Sequence, residues 1–373
     1  MRILLASDAW EPQVNGVVRT LTRVVAELRE LGDVVEVISP DQFSTFPLPT
    51  YPEIKLAVGA YDKVQERFKS FEPEAIHIAT EGPIGLAARR FCLEWKLPFT
   101  TSYHTRFPEY VSARLPLPLA AGYAYMKWFH KPSGRLMVAT ATLRDELARH
   151  GFRNLSQWSR AVDTEAFNPR WRGRPGVFEG LARPVWLNVG RVAVEKNIQA
   201  FVSLDLPGAK VVVGDGPQRG ELQARHPEVI FAGPKFGDEL AAYFASADVF
   251  VFPSLTDTFG LVLLEAMASG TPVAAFSAPG PIDLIPGSGA GVLAPDQANG
   301  LKEAALACLD LDRGAVRAFA EQFSWRACAE EFRRNLQPYP EPEKSRFWRR
   351  LRRLARLRRR SRGPEETPAA PGP

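Results

Sequence analysis

The chain has 373 residues, 45% hydrophobic and 24% charged, which excludes a disordered or collagen-like protein and suggests two domains of ordinary size. Three widely spaced cysteines, Cys92, Cys308 and Cys328, form neither a CxxC pair nor a disulfide set, which argues for a reducing compartment and against a zinc site. The formal net charge of +5 is set by the end of the chain, where residues 344–362 hold eleven Lys and Arg and no acid; with Glu365 and Glu366 the tail contributes +9 and leaves −4 on the rest.

The N-terminal run MRILLAS reads directly as a strand. It lacks the basic start, apolar core and cleavage site of a secretion signal, and no apolar run reaches the ~18 residues of a spanning helix. A cytoplasmic protein is expected. Short apolar, β-branched runs predict strands over residues 3–6, 34–38, 75–79, 99–103 and 136–139, then 185–189, 210–213, 229–231, 249–252 and 273–276. Helical patterns lie between them, as in VVRTLTRVVAELRELG, GDELAAYFASA and LVLLEAMASG. This alternation argues for parallel sheets covered on both faces. The pattern restarts after residues 168–180, a stretch dense in Pro, Gly and Arg. The expected fold is α/β, with two Rossmann-like, doubly wound domains facing each other across a cleft that collects ligands at the carboxyl ends of the strands. The boundaries are an N-terminal domain over residues 1–168, a linker over 169–183, a C-terminal domain over 184–337 and a basic tail over 338–373.

Three strand-end segments carry candidate chemistry. In DAWEPQVNGVVRT, Asn15 and Gly16 form a turn, and Asn15 suits a cap for a helix starting near Val17; alternatively, the glycine lets backbone N–H groups approach a phosphate. The segment is not a GxGxxG fingerprint. In LNVGRVAVEKNIQAF, Gly190 ends a strand, and Arg191 and Lys196 follow as two cations suited to a diphosphate, or as solvated surface charges. In VVVGDGPQRGEL, Gly214 and Gly216 at another strand end fit a base or phosphate lying against the backbone, though strand–glycine turns are common.

The stretch TDTFGLVLLEAMASGTP is the most informative. From Phe259 to Met267 every residue is apolar or glycine except Glu265. A helix that is apolar all round is buried, and a carboxylate isolated there is costly unless something pairs with it. Thr256 or Thr258 is expected to cap the helix, and Gly270 with Pro272 to end it. Glu265 then suits the vicinal hydroxyls of a ribose, with Asp257 placed for a second sugar. A structural ion pair with an arginine from the other domain is the competing reading.

Taken in order, DAWEPQVNGVVRTL, SRAVDTEAFNP, GRVAVEKN, VVGDGP, ADVFVFPS and DTFGLVLLEAMASGTPV resemble the retaining glycosyltransferases of family 4, which have the GT-B fold. The resemblance implies that Arg191 and Lys196 bind the donor diphosphate and that Glu265 binds the donor ribose. It also implies that Asp257, where the family has Glu, contacts the donor sugar, and that Asn15, Gly16, Gly190, Gly214, Gly216, Thr258, Phe259 and Gly260 belong to the donor site. Ala161 is a second departure, at a usual glycine. His104, in TTSYHTRFPEY, matches a position near the reacting sugar, whereas His77, His130, His150 and His226 have no such context. The implied reaction retains the anomeric configuration. Two cations and a helix start stabilise the leaving phosphate, so no metal and no cofactor is required.

The acceptor is read from the tail and one inner segment. As a helix, residues 347–357 place Phe347, Trp348, Leu351, Leu354, Ala355 and Leu357 on one side and most arginines on the other, the pattern of an interfacial helix on anionic lipid. A disordered basic tail, possible contact with nucleic acid included, is the plainer reading, and no nucleic-acid partner is expected. VSARLPLPLAAGYAYMKWF is either an acceptor wall or an ordinary core helix. The chain is also similar to the subgroup that glycosylates diacylglycerol, including sulfoquinovosyl and glucosyl transferases, and to mannosyltransferases. The expectation is a peripheral enzyme on the inner face of the cell membrane. It moves a hexosyl group from a UDP-sugar, with GDP-mannose second, to a lipid such as diacylglycerol. A non-lipid saccharide acceptor and a nucleotide-sugar binder without turnover are the alternatives. A phosphorylase, which needs pyridoxal phosphate on a lysine, has no supporting signature.

Overall fold

The computed structural model describes residues 1–13, 15–48, 51–112, 118–295 and 300–339. The basic segment 344–362 therefore lies outside the described residues. The strands are β1 (Arg2–Ala6), β2 (Val34–Ile38), β3 (Thr45–Leu48), β4 (Tyr51–Ala57), β5 (Ala75–Ile78), β6 (Thr100–Tyr103), β7 (Arg135–Val138), β8 (Leu155–Gln157), β9 (Val185–Val189), β10 (Ala209–Val213), β11 (Ile230–Gly233), β12 (Val249–Phe252), β13 (Val273–Phe276) and β14 (Gly291–Ala294). The helices are α1 (Gly16–Glu30), α2 (Ala60–Phe71), α3 (Pro83–Trp95), α4 (Phe107–Ser112), α5 (Leu119–His130), α6 (Ala141–Arg149), α7 (Ile198–Val202), α8 (Arg219–Arg225), α9 (Gly237–Ser246), α10 (Leu261–Ala268), α11 (Pro281–Leu284), α12 (Gly300–Ala307), α13 (Arg313–Ala320) and α14 (Trp325–Asn335).

Two six-stranded sheets run β2-β1-β5-β6-β7-β8 and β11-β10-β9-β12-β13-β14, with β3 and β4 as a separate antiparallel hairpin. The expected strands all form, within a residue or two at their ends. The hairpin, β8 and β14 were not anticipated. β8 is three residues long and none of them is buried, so no apolar run marks it.

By compactness the chain divides into two units. One comprises Met1–Gln13, Arg29–Thr101 and the described residues from Leu336 on; the other comprises Val14–Leu28 and Ser102–Asn335. In the first unit, Asp8 at the end of β1 holds the start of α3. Its carboxylate accepts hydrogen bonds from the Ile84 N–H (2.8 Å), the Gly85 N–H (3.2 Å) and the Thr80 hydroxyl (2.9 Å). Burial pushes the Asp8 carboxyl above its ordinary range, and the two N–H donors pull against that. A Cβ on Gly82 would lie 2.5 Å from the Asp8 carboxyl carbon, so this capping geometry requires a glycine there.

The second unit holds the β9–β14 sheet, whose strands read as continuous apolar runs because both faces are covered. Val185, Leu187, Val211, Val213, Phe250 and Phe252 enter one core with α10. Trp186, Val212, Val249 and Val251 enter the core on the opposite face with Ile198 and Phe201 of α7. Helix α1 belongs to this unit, not with the strands that flank it in sequence. Arg23 pairs with Asp163 at 3.0 Å and lies over the Trp325 ring at 5.9 Å.

Two arginines of α13 close helix ends in this unit. Arg313 donates to the carbonyls of Ala245 and Ala247 (both 2.9 Å), at the end of α9, and to the Thr271 hydroxyl (2.8 Å). Arg317 donates to the carbonyls of Phe167 (3.0 Å) and Ala268, the latter at the end of α10. Burial brings the Arg313 guanidinium down to about 10. Arg313→Ala strands these acceptors and is expected to cost about 2–3 kcal/mol of stability, read from urea unfolding of the two proteins.

Candidate functional site

The order of the second sheet reverses between β9 and β12. In an open α/β sheet that reversal opens the crevice where ligands bind, outside the carboxyl ends of the strands. The loops leaving those two strands carry the residues singled out in the sequence. After β9 come Gly190 and Arg191, then a single 3-10 turn, Val194–Lys196, closed by Asn197 in the left-handed region (φ 52°). The loop after β12 covers residues 253–260.

Side chains stitch the two loops together. Asn197 donates to the Pro253 carbonyl at 3.1 Å. The hydroxyls of Ser254 and Thr256 both donate to the Glu195 carbonyl, at 3.4 and 3.0 Å. Lys196 Nζ meets Asp257 Oδ1 at 2.6 Å. The cation expected on the diphosphate and the acid expected on the donor sugar are therefore in direct contact. Asp257 Oδ2 is buried and has no hydrogen-bond partner among the described residues.

The expectation that Thr256 or Thr258 caps α10 is corrected. Thr256 is committed to Glu195, and the Thr258 hydroxyl donates to the His104 carbonyl at 2.8 Å. The helix is entered instead through Gly260 at φ 81°, with no side-chain cap. Glycine takes that conformation at little cost, and a Cβ there would lie 3.0 Å from the Leu263 side chain. Phe259 is buried in the core beside it. The other end of α10 is as expected: Gly270, at φ 72°, donates to the Met267 carbonyl (2.9 Å), and Thr271 to the Ala266 carbonyl (2.9 Å).

Glu265 is 3% exposed within α10. Its Oε1 pairs with Arg19 Nη2 on α1; the competing reading expected an arginine of the other domain, and α1 belongs to the same unit as Glu265. Its Oε2 is buried with no hydrogen-bond partner among the described residues. The arginine therefore accounts for one of the two oxygens. Burial pushes the Glu265 carboxyl above its ordinary range, and Arg19 pulls it partly back. Arg19 sits one turn into a helix whose start Asn15 caps as expected, its Oδ1 accepting from the N–H groups of Val17 and Val18 at 3.0 Å each. A Cβ on Gly16 would lie 3.4 Å from Leu261, so the first turn of α1 abuts the first turn of α10.

His104 follows the last residue of β6. Its ring lies edge-on to Trp158 at 5.6 Å, and Arg160 Nη2 is 3.4 Å from Nδ1. Guanidinium is only a donor, so Nδ1 accepts and the ring proton belongs on Nε2. Arg160 is itself buried: Nη1 donates to the Trp158 carbonyl at 2.7 Å, and its plane lies 4.3 Å from the Trp158 ring. Burial brings its guanidinium down to about 10. Among the other histidines, His77 is buried against Thr100 (2.9 Å), and His150 stacks on Tyr123 at 3.9 Å.

Gly214 and Gly216 have a packing role. A Cβ on Gly214 would lie 1.9 Å from the Gly190 carbonyl oxygen, and one on Gly216 2.3 Å from that of Val192. The loop after β10 packs on the loop that carries Arg191, and only glycine allows the approach. The segment weighed as an acceptor wall divides. Residues 113–117 lie outside the described residues. Helix α5 buries Tyr123, Met126, Phe129 and His130 but leaves Trp128 51% exposed; the Tyr125 ring lies 5.8 Å from Trp128 and 6.5 Å from the exposed Phe107 of α4. Among the described residues no group of three or more His, Cys, Asp or Glu is placed to hold a metal, and no helix is long and apolar enough to cross a membrane.

Residues 14–166 match the family "Glycosyltransferase Family 4", and residues 183–311 match "Glycosyl transferases group 1". The chain is 30% identical over 318 residues to a GDP-mannose-dependent alpha-mannosyltransferase of Mycobacterium tuberculosis, covering 79% of this chain and 84% of that one. It is 28% identical over 319 residues to the alpha-monoglucosyldiacylglycerol synthase of Streptococcus pneumoniae, covering 75% and 72%. In fold it is similar to Alr3699/HepE of Anabaena, solved in complex with UDP-glucose, with a TM-score of 0.67, 16% identity, and coverage of 90% of this chain and 98% of that one.

The buried acid has a consequence for stability. Its folded pKa is raised, so the ionised form opposes folding above that pKa; the penalty starts to shrink as pH falls through it and is gone once pH falls below the ordinary carboxyl value. Glu265→Gln is expected to melt roughly 1–3 °C above wild type at about pH 8, with the gap closing toward about pH 5, by scanning calorimetry.

Proposed function

The chain belongs to glycosyltransferase family 4 and is a transferase with the GT-B fold, and from that premise we propose that it moves a hexosyl group from a nucleotide-diphosphate sugar to a lipid acceptor at a membrane surface. The observation that carries the donor half is the Lys196–Asp257 pair, which joins the two strand-end loops at the reversal of the sheet, with the second loop leading into the helix of Glu265. Arg191 and Lys196 grip the diphosphate, one as a planar fork and one as a point charge. Glu265 accepts the ribose hydroxyls, and Asp257 meets the donor sugar. His104, with its proton on Nε2, faces the reacting sugar. Asn15, Gly16, Gly190 and the turn from Thr258 through Phe259 to Gly260 complete the donor site.

The bond between the anomeric carbon and the diphosphate oxygen breaks with oxocarbenium character at carbon and negative charge growing on the phosphate. Arg191 and Lys196 stabilise that charge where it develops. The acceptor oxygen attacks from the face the phosphate leaves, and the departing phosphate takes the acceptor's proton. Configuration is retained, and no protein base, metal or cofactor is needed.

A UDP-sugar is the favoured donor and GDP-mannose the second. The Anabaena protein was solved with UDP-glucose, and the mycobacterial relative is named for GDP-mannose. Diacylglycerol is the favoured acceptor, supported by the streptococcal relative's name and by the exposed Trp128 and Phe107. Residues 344–362 hold the enzyme on the anionic inner face of the cell membrane.

Three experiments test this reading. Incubating the protein with UDP- and GDP-sugars plus diacylglycerol in the presence of EDTA should yield a glycolipid by mass spectrometry. Arg191→Ala and Lys196→Ala should each lower turnover by ~10²-fold or more; near-normal rates in both would remove the diphosphate assignment. Deleting residues 344–373 should abolish co-sedimentation with phosphatidylglycerol vesicles and spare release of nucleoside diphosphate from the donor in solution. Undiminished vesicle binding by the truncated chain would place the membrane contact elsewhere.

A further inference from the structure

The Arg19–Glu265 pair is more than a neutralised buried charge, because it uses only half of the carboxylate. Oε1 is taken by the guanidinium, and Oε2 is buried with no hydrogen-bond partner among the described residues. An ionised carboxylate has lone-pair sites on both oxygens, and a buried acceptor left empty is unfavourable. Helix α1 is fixed from two sides. Its first turn abuts α10 at Gly16 and Leu261, and Arg23, one turn beyond Arg19, is anchored on Asp163 at 3.0 Å and over Trp325. Arg19 therefore approaches Glu265 from a set direction. Its side chain is 44% exposed, so donors remain free to point to solvent while one grips Oε1.

We propose that Arg19 is a positioning residue for the nucleotide sugar: it holds Oε1 of Glu265 so that Oε2 is presented, ionised, to the vicinal hydroxyls of the donor's ribose. The inference rests on the ribose assignment made above for Glu265. It adds a residue from the first helix of the chain, outside the two strand-end loops, to the determinants of nucleotide binding. Among the described residues Arg19 is the charged group that acts on Glu265, since α10 carries no other titratable side chain. Without Arg19 nothing opposes the effect of burial, and Glu265 takes up its proton at a higher pH.

The test compares binding of UDP with that of 2′,3′-dideoxy-UDP by titration calorimetry across pH, with GDP and its dideoxy analogue used if the wild type prefers guanine. Wild type should favour the ribonucleotide, and Glu265→Gln should lose that preference. Arg19→Ala should weaken the ribonucleotide about tenfold, bring the two nucleotides close to parity, and shift the loss of affinity on acidification to higher pH. Arg19→Lys, which keeps the charge, should restore most of the pH profile. Arg23→Ala removes one support of α1 and keeps the other, the Gly16–Leu261 contact, so with Arg19 in place the position of the acid limb should stay as in wild type. If Glu265→Gln loses the preference but Arg19→Ala keeps both the preference and the wild-type acid limb, Arg19 does not position the acid. If Arg23→Ala reproduces the acid-limb shift, the role of α1 is structural and the inference falls. If Glu265→Gln keeps the preference, the ribose assignment itself fails and the Arg19 proposal falls with it.

Discussion

A carboxylate buried in an apolar helix has to be matched, and among the described residues Glu265 is matched at one oxygen. Helix α10 contributes Leu263, Leu264, Ala266, Met267 and Ala268 to the core of the second unit, so its position cannot adjust to bring water to the acid. The match comes from Arg19, on a helix that the Gly16–Leu261 contact and Arg23 hold in place. It also ties the start of the chain to a residue far along it, and this is part of why α1 clusters with Ser102–Asn335 and not with the strands on either side of it.

The second constraint is backbone proximity at the reversal of the β9–β14 sheet. Two loops leave adjacent strands there and must pack on one another while keeping polar groups satisfied. Glycine brings a third loop, the one after β10, against them: Gly214 and Gly216 lie against carbonyls of the loop that carries Arg191. Side chains of Asn197, Ser254 and Thr256 supply the hydrogen bonds that the loops cannot make through regular structure. The threonines of this region thus hold loops in register, and Gly260 turns the chain into α10. Arg191, Lys196 and Asp257, proposed to act on the donor, rest on loops whose backbone is over-determined, as positioning of a reactive group requires.

The sheets, their parallel pairing and most strand positions were legible because the inner strands of each sheet are covered on both faces, which turns them into continuous apolar runs broken by helical periodicity. β8 left no comparable trace because it is short and unburied. In the site, the residue types were legible: a lone acid in an apolar helix, two cations after a strand, an Asn-Gly cap. Their partners were not. Arg19 and Arg23 look in sequence like surface charges of an amphipathic helix, and Arg160 looks like one more arginine beside a turn. What distinguishes them is contact with residues distant in the chain, such as Glu265, Asp163 and His104, and one-dimensional spacing carries no record of that.

The sequence by itself determined which elements form and which side chains are too expensive to bury without a purpose, because hydrophobic periodicity and the cost of an isolated charge are local properties of the chain. Only the tertiary structure decided that Asp257 faces Lys196, that Thr258 serves His104 instead of capping α10, and that Arg19 answers Glu265. Each of those is a choice among several chemically equivalent partners, and packing makes that choice by bringing a single one within reach.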